Sequence, residues 1–216
     1  MEVNGRIVKG IIFDLDGTVL DSCSVWSDVD KDFFSKRGME IPSDYADKIG
    51  HIGLDKAASY TIKRFNLKET KEEVLNEWRD SVIEYYKHIN LKPGAKEFLD
   101  YLDSEHIPYV VATANNKEIY VPALTNTGIL DRFTFILEVN NYPKGKDDPE
   151  IYFDAAKKLG IPYENVLVIE DLAKAIKCAH KAGFITVGMD EATCKNKDEV
   201  RNNCDKYIYD FRELIS

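Results

Sequence analysis

Two aspartates stand directly after the first apolar run of the chain, residues 7–13. Asp14 and Asp16 are separated by one residue, which places both carboxylates on the same side of an extended backbone. If that strand belongs to a parallel sheet, both point into the crevice beyond the carboxyl ends of the strands, where ligands bind. An Asp-Gly pair after an apolar strand is more often only a turn. The longer spacing DxDGT is more specific, and two such carboxylates can act as a nucleophile and as an acid or base.

Three other segments carry polar side chains close to where apolar runs end. Thr113 closes one run, Lys146 precedes a helix that begins with a proline, and Glu170 and Asp171 close another run. Each has an ordinary structural explanation, since threonine is common at strand ends, loop lysines are usually solvated, and acids often begin helices. Together they predict one crevice that gathers several carboxylates, a hydroxyl and a lysine.

Short apolar runs bounded by turn residues provide the strands that would position these side chains. The runs lack strict alternation of apolar and polar residues, which is typical of strands buried on both faces. Amphipathic helical patterns lie between them. The alternation of strands and helices predicts an α/β fold with a doubly wound parallel sheet. The runs cover residues 7–13, 109–112, 133–139, 166–169 and 184–187.

One long stretch interrupts this alternation. Residues 21–90 show only helical patterns, and Ser22 is a candidate N-cap for the first of these helices. The interruption predicts an inserted all-α domain over residues 21–90, with residues 1–20 and 91–216 forming the catalytic core. The alternative is that these helices pack on one face of the same sheet.

Composition restricts the class of protein. With 216 residues, 44% of them hydrophobic, and a net charge of −9, the chain can bury a full core but repels nucleic-acid backbones. The four cysteines form no CxxC pair and are typical of reduced cytosolic thiols. No signal peptide and no apolar stretch of about 18 residues is recognisable. We expect a cytoplasmic protein, a monomer or weak homodimer, that binds neither nucleic acid nor membranes.

The four polar segments resemble, in content and order, the motifs of haloacid dehalogenase-like hydrolases. The resemblance covers nearly the whole chain. The chain is most similar to the β-phosphoglucomutase and phosphoglycolate phosphatase branch, in which a helical cap follows the first motif. It implies a Rossmann-like core with an inserted C1-type cap. The segments are IIFDLDGTVLDS at 11–22, VVATANN at 110–116, GKDDPEIYFDAA at 145–156 and VLVIEDLAKAIKCAHKAG at 166–183.

The resemblance implies a catalytic role for four residues. Asp14 would be the nucleophile that forms an aspartyl-phosphate, and Asp16 the general acid and base. Thr113 would donate a hydrogen bond to the phosphoryl group, and Lys146 would neutralise its charge. An acid at the position of Asp16 indicates phosphoryl transfer, because the dehalogenating members lack it.

The resemblance also implies a magnesium site. Asp14, Asp171 and the backbone carbonyl of Asp16 would be the ligands, with Glu170 either an alternative ligand or a support for one. The charges independently favour a cation, because carboxylates crowded into one crevice repel one another and oxygen ligands suit Mg²⁺.

Substrate selection in capped relatives comes from a cap loop, which here most resembles KIGHIGLDK at residues 48–56. We expect His51 in this loop to bind substrate, together with Thr113 and with Asn115 at the crevice edge. An asparagine at a helix start can equally be an N-cap.

The chain departs from the family pattern at two motifs. Leu172 and Ala175 stand where the family usually has Ser or Thr and Gly. Asp147 follows Lys146 where the family usually has proline, and Lys144 lies close enough to be a rival. Only Lys146 has the family spacing to Pro149.

The sequence thus predicts a Mg²⁺-dependent phosphatase of small phosphorylated metabolites, with sugar phosphates as candidates. The alternative is a sugar phosphomutase like β-phosphoglucomutase, which excludes water and recognises two phosphate positions. Thr18 favours hydrolysis, because this position resembles the phosphatases' DxDGT rather than the mutase's valine. A more distant alternative is a non-enzymatic phosphoacceptor domain, which also gathers acids, Thr and Lys at strand ends.

Overall fold

The computed structural model describes residues 1–49, 54–194 and 196–215. It divides into two compact units. The core unit consists of Met1–Cys23 and Ile89–Ser216, and the helical unit is Ser24–His88. The division falls close to residues 20 and 90, where the helical patterns begin and end in the sequence.

All strands in the described part of the chain belong to the core unit. They are β1 (Glu2–Val3), β2 (Arg6–Ile7), β3 (Gly10–Phe13), β4 (Tyr109–Thr113), β5 (Ile136–Glu138), β6 (Val166–Glu170), β7 (Ile185–Met189) and β8 (Lys206–Ile208). Six of them form one sheet in the order β5-β4-β3-β6-β7-β8, with every neighbouring pair parallel. The predicted Rossmann-like parallel sheet is therefore confirmed.

The helices fall into two groups. The helical unit contains α1 (Val25–Ser35), α2 (Tyr45–Ile49), α3 (Leu54–Phe65) and α4 (Lys71–Tyr86). The core unit contains α5 (Ala95–Ser104), α6 (Lys117–Asn126), α7 (Glu150–Leu159), α8 (Ala173–Lys181) and α9 (Lys197–Asn202). No helix of the described ranges is long and apolar enough to span a membrane.

Apolar side chains cover both faces of the sheet. Ile12 packs in a cluster with Tyr152 of α7 and Ala179 of α8. Its neighbour Phe13 points to the opposite face, where its ring centroid lies 6.0 Å from those of Phe98 in α5 and Phe211 near the C-terminus. Burial on both faces explains why these strands are apolar without alternation.

The register of the sheet brings the polar strand ends together. The last residue of β3 pairs with Val111 of β4 and with Ile169 of β6. Asp14, Thr113 and Glu170 follow these paired positions by one or two residues. They therefore lie at the carboxyl edge of three adjacent strands, where open α/β sheets bind ligands.

The prediction of one strand over residues 7–13 is wrong. Asn4 and Gly5 have positive φ angles of 49° and 76°, and the resulting turn pairs β1 with β2 as an antiparallel hairpin. Only Gly10–Phe13 joins the main sheet. The apolar run therefore spans two elements that belong to different sheets.

In the helical unit, residues at the predicted helical spacing lie on the buried face of a helix. Thr70 and Glu73 form a capping box at the start of α4, and Val74, Trp78 and Val82 are buried along one face of that helix. The prediction that Ser22 caps the first helix is wrong. The helix α1 begins at Val25, and Ser22 belongs to the core unit.

Candidate active site

Asp14 lies at the centre of the polar strand ends. Its backbone N–H donates to the carbonyl of Ile169 at 3.0 Å, which continues the pairing of β3 with β6 by one residue. The side chain is buried, and its Oδ1 accepts a hydrogen bond from Nζ of Lys146. The burial leaves this carboxylate with a specific cationic partner in place of bulk water.

Lys146 joins Asp14 to Glu170. It lies in a 3₁₀ turn, Gly145–Asp147, and its ammonium is 2.5 Å from Oε1 of Glu170. Burial alone would lower the pKa of Lys146, but the charges of Asp14 and Glu170 raise it well above its usual value. Lys146 therefore carries its positive charge inside the crevice. By contrast, the side chain of Lys144 is 75% exposed and pairs with Asp148 at 3.0 Å.

A third carboxylate completes the cluster. Oxygen atoms of Asp14, Glu170 and Asp171 all lie within 4.8 Å of one another. Burial raises the pKa of Asp14 to about 8, and the charge of Glu170 adds to this rise although Lys146 opposes it. Burial, Glu170 and Asp14 likewise raise the pKa of Asp171 to about 9. Burial and mutual repulsion thus oppose the charged forms of both carboxyls, and a bound cation would favour them.

The oxygens of Glu170 are already held by other groups. Oε1 accepts from Lys146, and Oε2 accepts from the backbone N–H groups of Asp171 at 3.1 Å and Leu172 at 3.2 Å. These bonds also satisfy N–H groups at the start of α8, where Leu172 offers no side-chain cap. Asp171 stays in the cluster although Leu172 and Ala175 depart from the family pattern.

Three hydroxyl and amide groups orient the remaining acids. Ser22 donates its hydroxyl to Oδ1 of Asp16 at 2.7 Å, and the side-chain amide of Asn115 donates to Oδ2. The hydroxyl of Thr18 donates to Asp171 at 3.4 Å. Sequence reasoning missed the contacts of Ser22 and Thr18. Ser22 lies four residues past the DxDGT motif, and a hydroxyl at this position gives the same signal whether it caps a helix or holds a carboxylate.

A glycine permits the close approach of these loops. Gly17 has a φ of +75°, and a Cβ there would lie 2.4 Å from Oδ2 of Asp171. Any other residue would be strained and would collide with that carboxylate. The Asp-Gly step of DxDGT is thus a turn that also lets Asp171 approach the first loop.

The predicted substrate-binding residues have different outcomes. Thr113 is buried at the end of β4, and its hydroxyl oxygen accepts the N–H of Asn115 at 3.1 Å. Asn115 contacts Asp16, as described above. His51 lies outside the described residues.

The donor set fits a small, hard cation. Carboxylate oxygens are the ligands that Mg²⁺ prefers, and the uncompensated negative charge of this cluster favours a cation. Among the described residues, Asp14 accepts a side-chain hydrogen bond from Lys146 and Asp171 accepts one from Thr18, whereas the oxygens of Glu170 accept three hydrogen bonds. The same crevice also presents the hydroxyl of Thr113 and the ammonium of Lys146, which suit an anionic group.

Comparison with known proteins identifies this arrangement. The family model described as haloacid dehalogenase-like hydrolase matches residues 11–189. The chain is a haloacid dehalogenase-like hydrolase. The predicted family and enzyme class, a phosphoric monoester hydrolase, are confirmed, and the non-enzymatic phosphoacceptor is disfavoured.

Relatives of this hydrolase include phosphatases and a mutase. Phosphoglycolate phosphatase of Neisseria gonorrhoeae is 28% identical over 188 residues, covering 84% of this chain and 80% of the relative. β-Phosphoglucomutase of Bacillus subtilis is 26% identical over 191 residues, covering 84% of this chain and 83% of the relative. The structure of a putative β-phosphoglucomutase from Thermotoga maritima superposes with a TM-score of 0.84 at 19% identity, covering 96% of this chain and 97% of that chain.

Proposed function

We propose that this hydrolase is a Mg²⁺-dependent phosphatase that cleaves small phosphorylated metabolites, sugar phosphates among them, through an aspartyl-phosphate on Asp14. One observation carries the proposal. A buried carboxylate at a strand end contacts a lysine whose side chain is only 10% exposed, and it shares its crevice with Asp171 and Thr113. A carboxylate in this setting is suited to attack a phosphorus atom whose charge its neighbours stabilise.

The reaction would proceed in two displacements. An oxygen of Asp14 attacks phosphorus, the ester P–O bond breaks, and Asp16 gives a proton to the departing oxygen. Asp16 then removes a proton from water, whose oxygen attacks the phosphorus, and Asp14 leaves as a carboxylate with release of phosphate. Ser22 and Asn115 orient Asp16 for both steps.

Lys146 and Thr113 would bind the phosphoryl oxygens. Mg²⁺, held by Asp14, Asp171 and the backbone carbonyl of Asp16, would supply further charge stabilisation when bound. Glu170 would hold Lys146 in place rather than bind the cation, because its oxygens already accept three hydrogen bonds.

Turnover is expected to require Mg²⁺ and to be inhibited by excess Ca²⁺. Ca²⁺ takes more ligands at longer distances, which would draw the carboxylate of Asp14 away from its position of attack. The measurement is phosphate release in a chelator, after Mg²⁺ is added back, and with Ca²⁺ in excess. Full turnover in the chelator would contradict the metal assignment.

Lys146→Ala is expected to lower kcat by about 10²–10³-fold, the usual loss when one charge-stabilising group is removed. Lys144→Ala is the matched control and should leave kcat nearly unchanged, because that ammonium is exposed and contacts only Asp148 among the described residues. Steady-state kinetics of the two variants decide the assignment. A larger loss at Lys144 would mean that the lysine of this loop is misassigned.

A sugar phosphomutase remains the second candidate, supported by the similarity to β-phosphoglucomutase. A panel of phosphorylated metabolites with Mg²⁺, assayed for released phosphate and for isomerised product, separates the two. Phosphate release from several substrates supports the phosphatase. Stoichiometric isomerisation without release would refute it.

We further propose that the helical unit acts as the cap that selects the substrate, with His51 among its contacts. We propose a cytoplasmic location, where cysteines such as the four free thiols of this chain stay reduced. We propose that the enzyme works there as a monomer or weak homodimer, on a small metabolite and on neither nucleic acid nor membranes.

A further inference from the structure

A buried ion pair lies in the core unit outside the catalytic cluster. Nζ of Lys92 contacts Oε2 of Glu191, and only 8% and 4% of the two side chains are exposed. Burial alone would shift both pKa values toward the neutral forms. The mutual attraction instead raises the pKa of Lys92 and lowers that of Glu191, so both groups remain charged.

Stability alone does not explain this pair. Taking two charges out of water costs several kcal/mol for each ion, and apolar side chains of similar volume are often as stable in such positions. A buried polar pair is better explained where it holds chain segments in one particular arrangement. The role of this pair therefore depends on which chain segments it joins.

Lys92 is attached to the segment that follows DxDGT. Its backbone N–H donates to the carbonyl of Val19 at 2.9 Å, and the preceding residues pair in antiparallel fashion, Leu20 with Leu91. Its ammonium also lies 3.6 Å from the carboxylate of Asp21. Lys92 thus binds the end of the loop that begins with the proposed nucleophile.

Glu191 organises the loop after β7. Its Oε1 accepts the backbone N–H of Thr193 at 3.1 Å and the hydroxyl of the same residue at 3.2 Å. Its carbonyl accepts the N–H of Cys194 at 3.1 Å, and the thiol of Cys194 contacts the carbonyl of Asp171 at 3.9 Å. The loop that Glu191 folds therefore lies against the backbone of a proposed metal ligand.

We propose that Lys92 and Glu191 are positioning residues, which tie the loop of Asp14 and Asp16 to the loop that supports Asp171. The inference rests on the proposed function, because the role of the pair is to fix the distances between the groups that bind the cation and the phosphoryl group. Neither residue touches the reacting atoms. Loss of the pair should therefore weaken Mg²⁺ binding and lower kcat, while the KM for substrate changes little.

The decisive variant replaces the whole pair, Lys92→Met with Glu191→Met, because removing one partner alone leaves an unpaired buried charge. Glu191→Gln is the second variant, since it keeps the shape and the acceptor for Thr193 but removes the charge that binds Lys92. The control is Arg132→Met with Asp103→Leu, which removes a more exposed ion pair of the core unit, 2.6 Å long, between α5 and the 3₁₀ turn Leu130–Arg132.

Four quantities are measured for each protein: the urea midpoint of unfolding, the Mg²⁺ affinity by calorimetry, and the kcat and KM for p-nitrophenyl phosphate. We expect the paired Met variant to keep the urea midpoint of the parent. We also expect about 10- to 100-fold losses in Mg²⁺ affinity and in kcat, the usual effect of removing groups that orient metal ligands. The KM of this variant should stay within about twofold of the parent value. The Mg²⁺ affinity, kcat and KM of the control variant should also stay within about twofold of the parent values.

A folded variant of the pair, or a folded Glu191→Gln, with parental kcat and Mg²⁺ affinity would overturn the proposal. So would an equal loss in the Arg132 and Asp103 control, since any lost ion pair would then have the same effect. Failure of the proposed function has a different signature, because the parent protein itself would then neither bind Mg²⁺ nor release phosphate.

Discussion

Asp14→Asn is expected to abolish phosphate release and to leave the fold intact. The amide keeps the volume of the side chain but is a poor nucleophile, so kcat should fall by roughly 10⁴–10⁶-fold, as when the nucleophile of another covalent mechanism is removed. Burial already opposes the charged form of Asp14, whose pKa it raises to about 8. Losing this carboxylate should therefore not lower the free energy of unfolding in the absence of metal.

The control for Asp14→Asn is Asp148→Asn in the lysine loop. Asp148 pairs with the exposed Lys144 and lies outside the buried cluster, so this variant should retain nearly the full rate. Steady-state rates with p-nitrophenyl phosphate and urea unfolding curves provide the comparison. Substantial turnover by Asp14→Asn would mean that water attacks the substrate directly.

Asp16→Asn is expected to react with aryl phosphates but not with alkyl phosphates. p-Nitrophenolate is a leaving group that needs little protonation, so the first displacement should still occur at a reduced rate. The second displacement lacks its base and should stall. The variant should release about one equivalent of p-nitrophenolate per enzyme and then stop, as expected for accumulation of a covalent intermediate.

An alkyl phosphate, such as a sugar phosphate, should behave differently with the same variant. Its leaving oxygen must be protonated as it departs, so the reaction should stall before the first displacement and release no alcohol. The parent enzyme, assayed with both substrates, is the reference. Equal bursts from the two substrates would show that Asp16 is not the general acid.

The strand ends were the most predictable part of the site. Asp14 and Glu170 each follow a run of apolar residues, and parallel strands bring their carboxyl ends to one edge whatever the length of the connections. Lys146 is harder to predict from local pattern, because it lies 132 residues from the carboxylate that it contacts. Only its spacing to Pro149, which resembles that of the family, distinguished it from Lys144.

Other contacts had no signal in the sequence. A hydroxyl near a helix start satisfies an N-cap pattern, so the bond from Ser22 to Asp16 could not be separated from a cap. The strands β1 and β2 of the hairpin are two residues long and the edge strand β8 is three residues long. Strands of this length are too short to show a periodic pattern of hydrophobic residues. The pair of Lys92 and Glu191 joins positions 99 residues apart, and nothing local marks either partner.

A covalent intermediate at Asp14 is the central feature of the proposed mechanism. The measurement is rapid acid quench of Asp16→Asn during reaction with p-nitrophenyl phosphate and Mg²⁺, followed by mass analysis of the peptide that contains Asp14. We predict a phosphoryl adduct on Asp14 with the aryl substrate and none with an alkyl phosphate. Absence of the adduct under conditions in which p-nitrophenolate is released, or its presence on another residue, would contradict the account.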